Sequence, residues 1–155
     1  MSFLLRRRLL IALPVLAVAA GCAKPPPKPT LVKVVFNAQA NVNPDASGRP
    51  SPVTVRMYGL KSRAAYDTAD FFALYEKDKE TLGGDLVFKE EFQLLPNESK
   101  TLDKQLPPEV VYLGMFAAFR DLERSAWRRV ATFVPHQANN LQVVIERSSV
   151  TVLNR

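Results

Sequence analysis

One cysteine and one histidine in 155 residues leave little room for chemistry. With Cys22 alone, no disulfide can close within the chain, so the fold must be held by its core. A metal site draws several ligands from Cys, His, Asp and Glu, and one histidine with one cysteine cannot supply the usual set. No HExxH, CxxC or GxSxG spacing occurs. Glycine is scarce at six residues, and Gly83-Gly84 lacks the further glycines and the lysine of a phosphate-cradling loop. His136, set between Pro135 and Gln137, reads as an exposed loop residue rather than a general base. Nothing here implies an enzyme or a cofactor. Long apolar runs are also missing. The run Leu9 to Ala20 is twelve residues with Pro14 inside it, well short of the roughly 20 that a spanning helix takes.

That short run has a meaning of its own. Arg6, Arg7 and Arg8 precede it, and the small residues Ala19-Ala20-Gly21 lead from it into Cys22. A positive head, an apolar core and a small-residue exit form the layout of a secretory signal. The exit resembles the lipobox of bacterial lipoproteins, in which the signal is cut before a cysteine that is then acylated. Ala19 departs from that pattern, which most often has Leu three residues before the cysteine. The alternative is an ordinary cleaved signal ending near a cysteine. Several acyl chains hold a protein to a membrane stably, whereas one does so marginally. Ala23 stands where enterobacterial lipoproteins kept at the inner membrane tend to have Asp. The resemblance therefore implies the outer membrane, lipid-anchored and facing the periplasm, with surface display as the alternative.

Loss of residues 1–21 leaves 134, enough for one domain that buries about two thirds of its unfolded surface. The leader holds three of the 21 basic residues and none of the 15 acidic ones, so the formal charge falls from +6 to +3. That balance gives no case for a nucleic-acid partner. Residues 22–30 follow as the cysteine and a tether, with four prolines in the stretch AKPPPKPT favouring an extended polyproline form. The domain proper is expected over 31–155.

Leu31 to Ala40 alternates as a strand, and Val53 to Leu60 alternates again. Between them Asn41 to Pro52 has three prolines, one glycine and no periodicity. Twelve residues join two strands where two to five suffice, and such loops are usually functional or disordered. Asp67 to Leu82 reads as one helix, capped by Asp67 or Thr68 and stopped by Gly83-Gly84. Phe71, Leu74 and Tyr75 give it an apolar face, and its outer face is acidic. Further strands are expected at Leu86–Leu94, Ser99–Leu106 (an edge), Val110–Phe119 (buried on both faces), Trp127–Val134 and Leu141–Arg147. Asn139-Asn140 reads as a turn, and Val150–Leu153 as a continuation past a bulge at Ser148-Ser149. Arg120 to Arg124 with Trp127-Arg128-Arg129 reads as mixed surface charge with Trp127 in the core, a binding face being the alternative. Seven to eight short strands with one inserted helical segment give a mainly β, two-sheet antiparallel β-sandwich.

Four features occur in order. A lipobox cysteine and proline tether come first, then a strand with the loop 41–52 running into Val53-Thr54-Val55-Arg56-Met57-Tyr58-Gly59-Leu60. Ala69-Asp70-Phe71-Phe72-Ala73-Leu74-Tyr75 follows, with Leu82-Gly83-Gly84-Asp85-Leu86 after it. Ala118-Phe119-Arg120-Asp121-Leu122 then precedes Trp127-Arg128. This ordered set closely resembles the TssJ (VasD/Lip) lipoproteins of type VI secretion. The resemblance implies a transthyretin-like sandwich in the outer membrane that binds the periplasmic C-terminal part of TssM, an inner-membrane protein that also pairs with TssL. The function implied is attachment within an envelope-spanning complex. The partner-contacting loop of that family joins the first two strands. Here it maps to Asn41, Val42, Asn43, Pro44, Asp45, Ala46, Ser47, Gly48, Arg49 and Pro50.

A rival from another class is a periplasmic ligand-binding sandwich for sugars, peptides or peptidoglycan fragments. Its sign is a concave aromatic pocket, and Tyr58, Tyr112 and Trp127 are scattered along the chain. Lipidation has a direct check. Cys22→Ser is expected to leave a folded protein in the soluble fraction of broken cells, and recovery of the variant in the membrane fraction counts against an acyl anchor.

Overall fold

The computed structural model describes residues 26–155. The expected leader 1–21, Cys22 and the first tether residues lie outside the described residues. Among the described residues, eight strands form two four-stranded sheets. The first holds β1 (Thr30–Ala38), β4 (Ser99–Leu106), β7 (Ala138–Ile145) and β8 (Val150–Asn154) in the order β4-β1-β7-β8. The second holds β2 (Val53–Leu60), β3 (Leu86–Leu94), β5 (Tyr112–Ala118) and β6 (Arg128–Ala131) in the order β3-β2-β5-β6.

The core follows from period-2 alternation. Val32, Val34, Phe36 and Ala38 of β1 face inward, as do Leu141, Val143 and Ile145 of β7. Across from them stand Val53, Val55 and Met57 of β2 and Leu113, Met115 and Ala117 of β5. Each large apolar side chain removed from water here contributes about 1.5–3 kcal/mol. The sandwich is as expected, with one difference in pairing. β1 runs parallel to β7, from Leu31 opposite Ala138 to Ala38 opposite Ile145, while the other ladders are antiparallel. That pairing corrects the expected turn at Asn139-Asn140, because both residues lie within β7. Asn139 tolerates the strand start because its side chain holds the preceding corner, exchanging hydrogen bonds with Val134 at 2.7 and 2.9 Å. Ser148-Ser149 is likewise not a bulge in a continuing strand. The chain reverses there, with the Glu146 N–H donating to the Ser149 carbonyl at 2.9 Å, and β8 returns antiparallel to β7. β1 ends at Ala38, two residues early, and β6 is only four residues long.

The outer face of the second sheet is covered by helix, whereas the first sheet leaves its outer face open at Lys33, Val35 and Asn37. β2 and β5 are therefore buried on both sides. Tyr66 packs against β5, and its hydroxyl donates to the Met115 carbonyl at 2.7 Å. A Cβ on Gly114 would meet that ring at 2.9 Å, so the strand needs glycine at this crossing.

The expected single helix is two: α1 (Ala64–Thr68) and α2 (Phe71–Leu82), followed by a 3₁₀ turn at Gly83–Asp85. Ala69 is extended (ψ 143°), and Asp70, not Asp67 or Thr68, caps α2 by accepting the Ala73 N–H at 2.9 Å. Sheet arginines set both breaks. Arg128 Nη1 donates to the carbonyls of Tyr66 and Ala69, at 2.8 and 2.6 Å, closing the end of α1. Arg56 Nη1 donates to the carbonyls of Leu74 and Tyr75, at 2.9 and 3.0 Å, just before α2 is interrupted at Lys77 (φ −134°, ψ 37°). A helix leaves its last carbonyls unpaired, and here side chains from the sheet below supply the donors. Arg128 is thus no surface pair, and Trp127 is half-buried against Phe71 and Phe116, with centroids 5.4 and 5.5 Å away.

The acidic helix face also needs correction. Asp78 turns inward and is buried, accepting from Lys89 Nζ at 2.7 Å and from the Tyr58 hydroxyl at 3.2 Å. Burial alone would push its carboxyl up, but Lys89 and Arg56 outweigh that and hold it below the usual carboxylate range. Burial pushes the Tyr58 phenol up, so it stays a neutral donor to Asp78. Arg56 is the hub of this group, reaching Glu91 Oε2 at 2.6 Å as well. Arg56→Met is expected to cost about 3 kcal/mol in urea unfolding, because it leaves two helix carbonyls without a donor and Asp78 with Lys89 as its remaining cation. Glu91→Gln, at a half-exposed partner, is expected to cost less than about 1 kcal/mol.

Candidate functional site

The proline-rich stretch before β1 and the loop after it lie at opposite ends of the strand. At the start of β1, Thr30 Oγ1 accepts the His136 N–H at 2.8 Å, and His136 Nδ1 meets the Lys28 carbonyl at 2.8 Å. A carbonyl only accepts, so Nδ1 carries the proton there. His136 is exposed, as expected, and it holds the chain at Lys28 and Thr30, where β1 begins. At the other end, residues 39–52 leave β1 and return to β2.

This loop divides into a buried root and an exposed tip. Val42 is fully buried and Asn43 nearly so, whereas Ala46, Ser47, Gly48, Arg49 and Pro50 are exposed. Asn41 is exposed, and Pro44 and Asp45 are half-buried. The ten residues singled out from the sequence thus differ in accessibility. Val42 and Asn43 face the protein and leave the tip to face outward.

Asn43 joins four segments. Its Nδ2 donates to the Pro52 carbonyl at 2.7 Å, and its Oδ1 accepts the Arg120 N–H at 2.8 Å. Its backbone N–H donates to the Arg147 carbonyl at 3.0 Å. Its φ is 46°, in the left-handed region that Asn tolerates better than most residues. The tip is closed by Asp45. Its Oδ1 accepts the N–H groups of Ser47 and Arg49 at 2.9 and 3.0 Å, and its Oδ2 accepts Arg49 Nε at 2.9 Å. The Arg49 backbone N–H is the largest cause holding the Asp45 carboxyl below its ordinary value. Gly48 (φ 78°) makes the reversal that these bonds enclose.

Beside the tip lies a cleft of about 570 Å³. Asn43 to Ala46 form one side, Phe119, Arg120, Asp121 and Arg124 a second, and Arg147 with Ser148 a third. Phe119 is the one ring in its lining, so it is not the aromatic hollow of a sugar-binding sandwich. Tyr58 is buried under the helices instead. The charged stretch at Arg120 to Arg124 was visible in the sequence, but its junction with the loop was not. Asn43 and Arg120 are 77 positions apart, and no local pattern links them. Trp127 and Arg128 pack under the helices and do not line the cleft. Among the described residues, no group of three or more His, Cys, Asp and Glu could hold a metal. Asn43→Gly keeps the backbone conformation and removes both side-chain bonds. It is expected to leave the sandwich folded and to raise amide hydrogen exchange at Arg120 at least tenfold, while exchange in β1 stays unchanged.

Three comparisons bear on this arrangement. The family model described as T6SS-SciN, type VI secretion lipoprotein (VasD, EvfM, TssJ, VC_A0113), matches residues 30–148. No curated protein matches the chain. The chain is similar to the T6SS lipoprotein TssJ1 from Pseudomonas aeruginosa, with a TM-score of 0.80 and 36% identity over 82% of this chain and 97% of that one. It is similar to a chain of a structure described as a type VI membrane complex, with a TM-score of 0.70 and 28% identity over 79% and 97%. A chain in the structure described as the T6SS protein TssM C-terminal domain (869–1107) from EAEC matches with a TM-score of 0.66 and 26% identity over 79% and 97%. Fold and family model agree, and the family is one of secretion lipoproteins, not of enzymes. The chain belongs to the type VI secretion lipoprotein family, that of VasD and TssJ.

Proposed function

We propose that this chain anchors a type VI secretion membrane complex by binding the periplasmic C-terminal domain of TssM through the loop between β1 and β2. In this reading residues 1–21 are removed as a leader and Cys22 is acylated in the outer membrane. The stretch 22–30 holds the β-sandwich domain (31–155) in the periplasm. TssL is reached only indirectly, through TssM.

The carrying observation is the placement of the loop. The tether enters at Thr30, and the loop leaves beyond Ala38, after the nine residues of β1. At about 3.3 Å per residue the strand sets the two ends roughly 30 Å apart. A body held by lipid at one end therefore offers the tip at the other, toward a partner coming from across the periplasm. The second support is stiffness. Asp45, Asn43 and three prolines hold the loop in one shape, so docking costs it little ordering entropy. The third is the match to a chain in the structure described as the TssM C-terminal domain.

The test is calorimetric titration of the full-length chain in detergent with the periplasmic domain of TssM. Replacement of the exposed residues 46–49 by Gly-Ser-Gly-Ser, which leaves Asn43 and Asp45 in place, is expected to weaken binding at least tenfold without lowering the melting temperature by more than a few degrees. Unchanged affinity would overturn the loop assignment.

A further inference from the structure

The cleft beside the tip carries a charge imbalance. Arg120, Arg124 and Arg147 line it together with Asp45 and Asp121. Asp45 is engaged, since Arg49 grips it through Nε and Nη2, both at 2.9 Å. Asp121 stands 4.0 Å from Arg124 Nε, a loose and exposed pair. Among the described residues, Arg120 and Arg147 have no carboxylate within ion-pairing distance. Both side chains are exposed, so their charge is open to a visitor.

Their placement is fixed all the same. The Arg120 N–H and the Arg147 carbonyl are both bonded to Asn43, at 2.8 and 3.0 Å. One buried asparagine therefore sets the spacing of two main-chain segments that each project an unpaired guanidinium beside the tip. A guanidinium offers a planar fork of N–H donors that matches a carboxylate, and a pre-positioned fork loses less freedom on binding.

We infer that this cleft is a carboxylate-binding subsite, which receives an acidic segment of the protein that docks on the loop tip, with Arg120 and Arg147 as its contacts. This rests on the reading of the loop as a docking site. A protein carboxylate is favoured over an anionic lipid headgroup by position, because the cleft opens at the end of β1 remote from the tether, roughly 30 Å away. Exposed charges at the rim of an interface act chiefly on association rate and salt dependence, and less on dissociation.

The experiment measures association and dissociation of full-length chain in detergent with immobilised TssM periplasmic domain, at low and high salt. It compares the wild type, the double variant Arg120→Gln/Arg147→Gln, the loop-tip replacement, and a control with equal charge loss on the body, Lys33→Gln/Lys61→Gln. The arginine variant is expected to associate about tenfold more slowly at low salt, with dissociation changed less than threefold. The gap should close near 0.5 M salt, where screening is short-ranged. The lysine control is expected to follow the wild type. Wild-type association by the arginine variant, with binding still lost in the loop-tip replacement, overturns the subsite and leaves the docking reading standing. Equal slowing in the lysine control overturns it in favour of overall charge. Arginine-dependent capture of phosphatidylglycerol vesicles, with TssM binding unaffected, overturns it in favour of lipid. Absence of binding by the wild type overturns both readings together.

Discussion

Val32, Val34, Phe36 and Ala38 point from β1 into the space between the sheets, none more than 6% exposed. With one cysteine and no metal cluster among the described residues, this buried row and the rows it meets carry the fold. β1 lies between β4 and β7 in its sheet, so it is fixed on both edges as well as on one face. One of its ends follows the proline-rich stretch and the other leads into the loop. A strand that cannot shift register without exposing its apolar row holds both at a constant separation.

The covered sheet solves a different problem. A short helix laid on a sheet has carbonyls at its C-terminal end that water no longer reaches. Arg56 and Arg128 rise from β2 and β6 and supply the missing donors. The same guanidinium of Arg56 lies 5.1 and 5.5 Å from the ring centroids of Tyr75 and Phe116, so it is packed on flat faces as well as bonded at its edge. The helical segment is thereby broken into pieces whose ends fall over arginines. The sequence reads as one amphipathic helix because the apolar spacing continues across the breaks. Their cause lies in other parts of the chain.

The elements that were legible share a physical trait. β2, β3 and β4 begin and end where the alternation and the flanking breakers place them. Turn residues such as Pro96-Asn97 and Pro107-Pro108 act locally and leave their mark in the sequence. What was hidden depends on distant partners. Asn139 and Asn140 are strand because β1 lies alongside them, and two adjacent asparagines would otherwise mark a turn. Asp78 is buried because Lys89 and Arg56 meet it. For the site, the length and proline content of the loop were enough to single it out. Its division into root and tip was not legible, since Pro44 after Asn43 marks only a turn and the partners that bury Asn43 lie elsewhere in the chain. Asn43 has Arg120, Arg147 and Pro52 around it.

The parallel pairing of β1 with β7 bears on the time course of folding. Any chain is made from its N-terminus, and β1 is the first strand of the domain to emerge. Its hydrogen-bonding neighbours are β4, at residues 99–106, and β7, at residues 138–145. β2 can pair with β3 once residues 86–94 appear, and β5 joins its other edge from residues 112–118. β1 can gain β4 on one edge first, but its other edge waits until β7 is present, and long-range closures of this kind are slow and exposed to aggregation. The strand from which the loop leaves is thus the first of the described strands to be synthesised, and its second edge is closed only by β7.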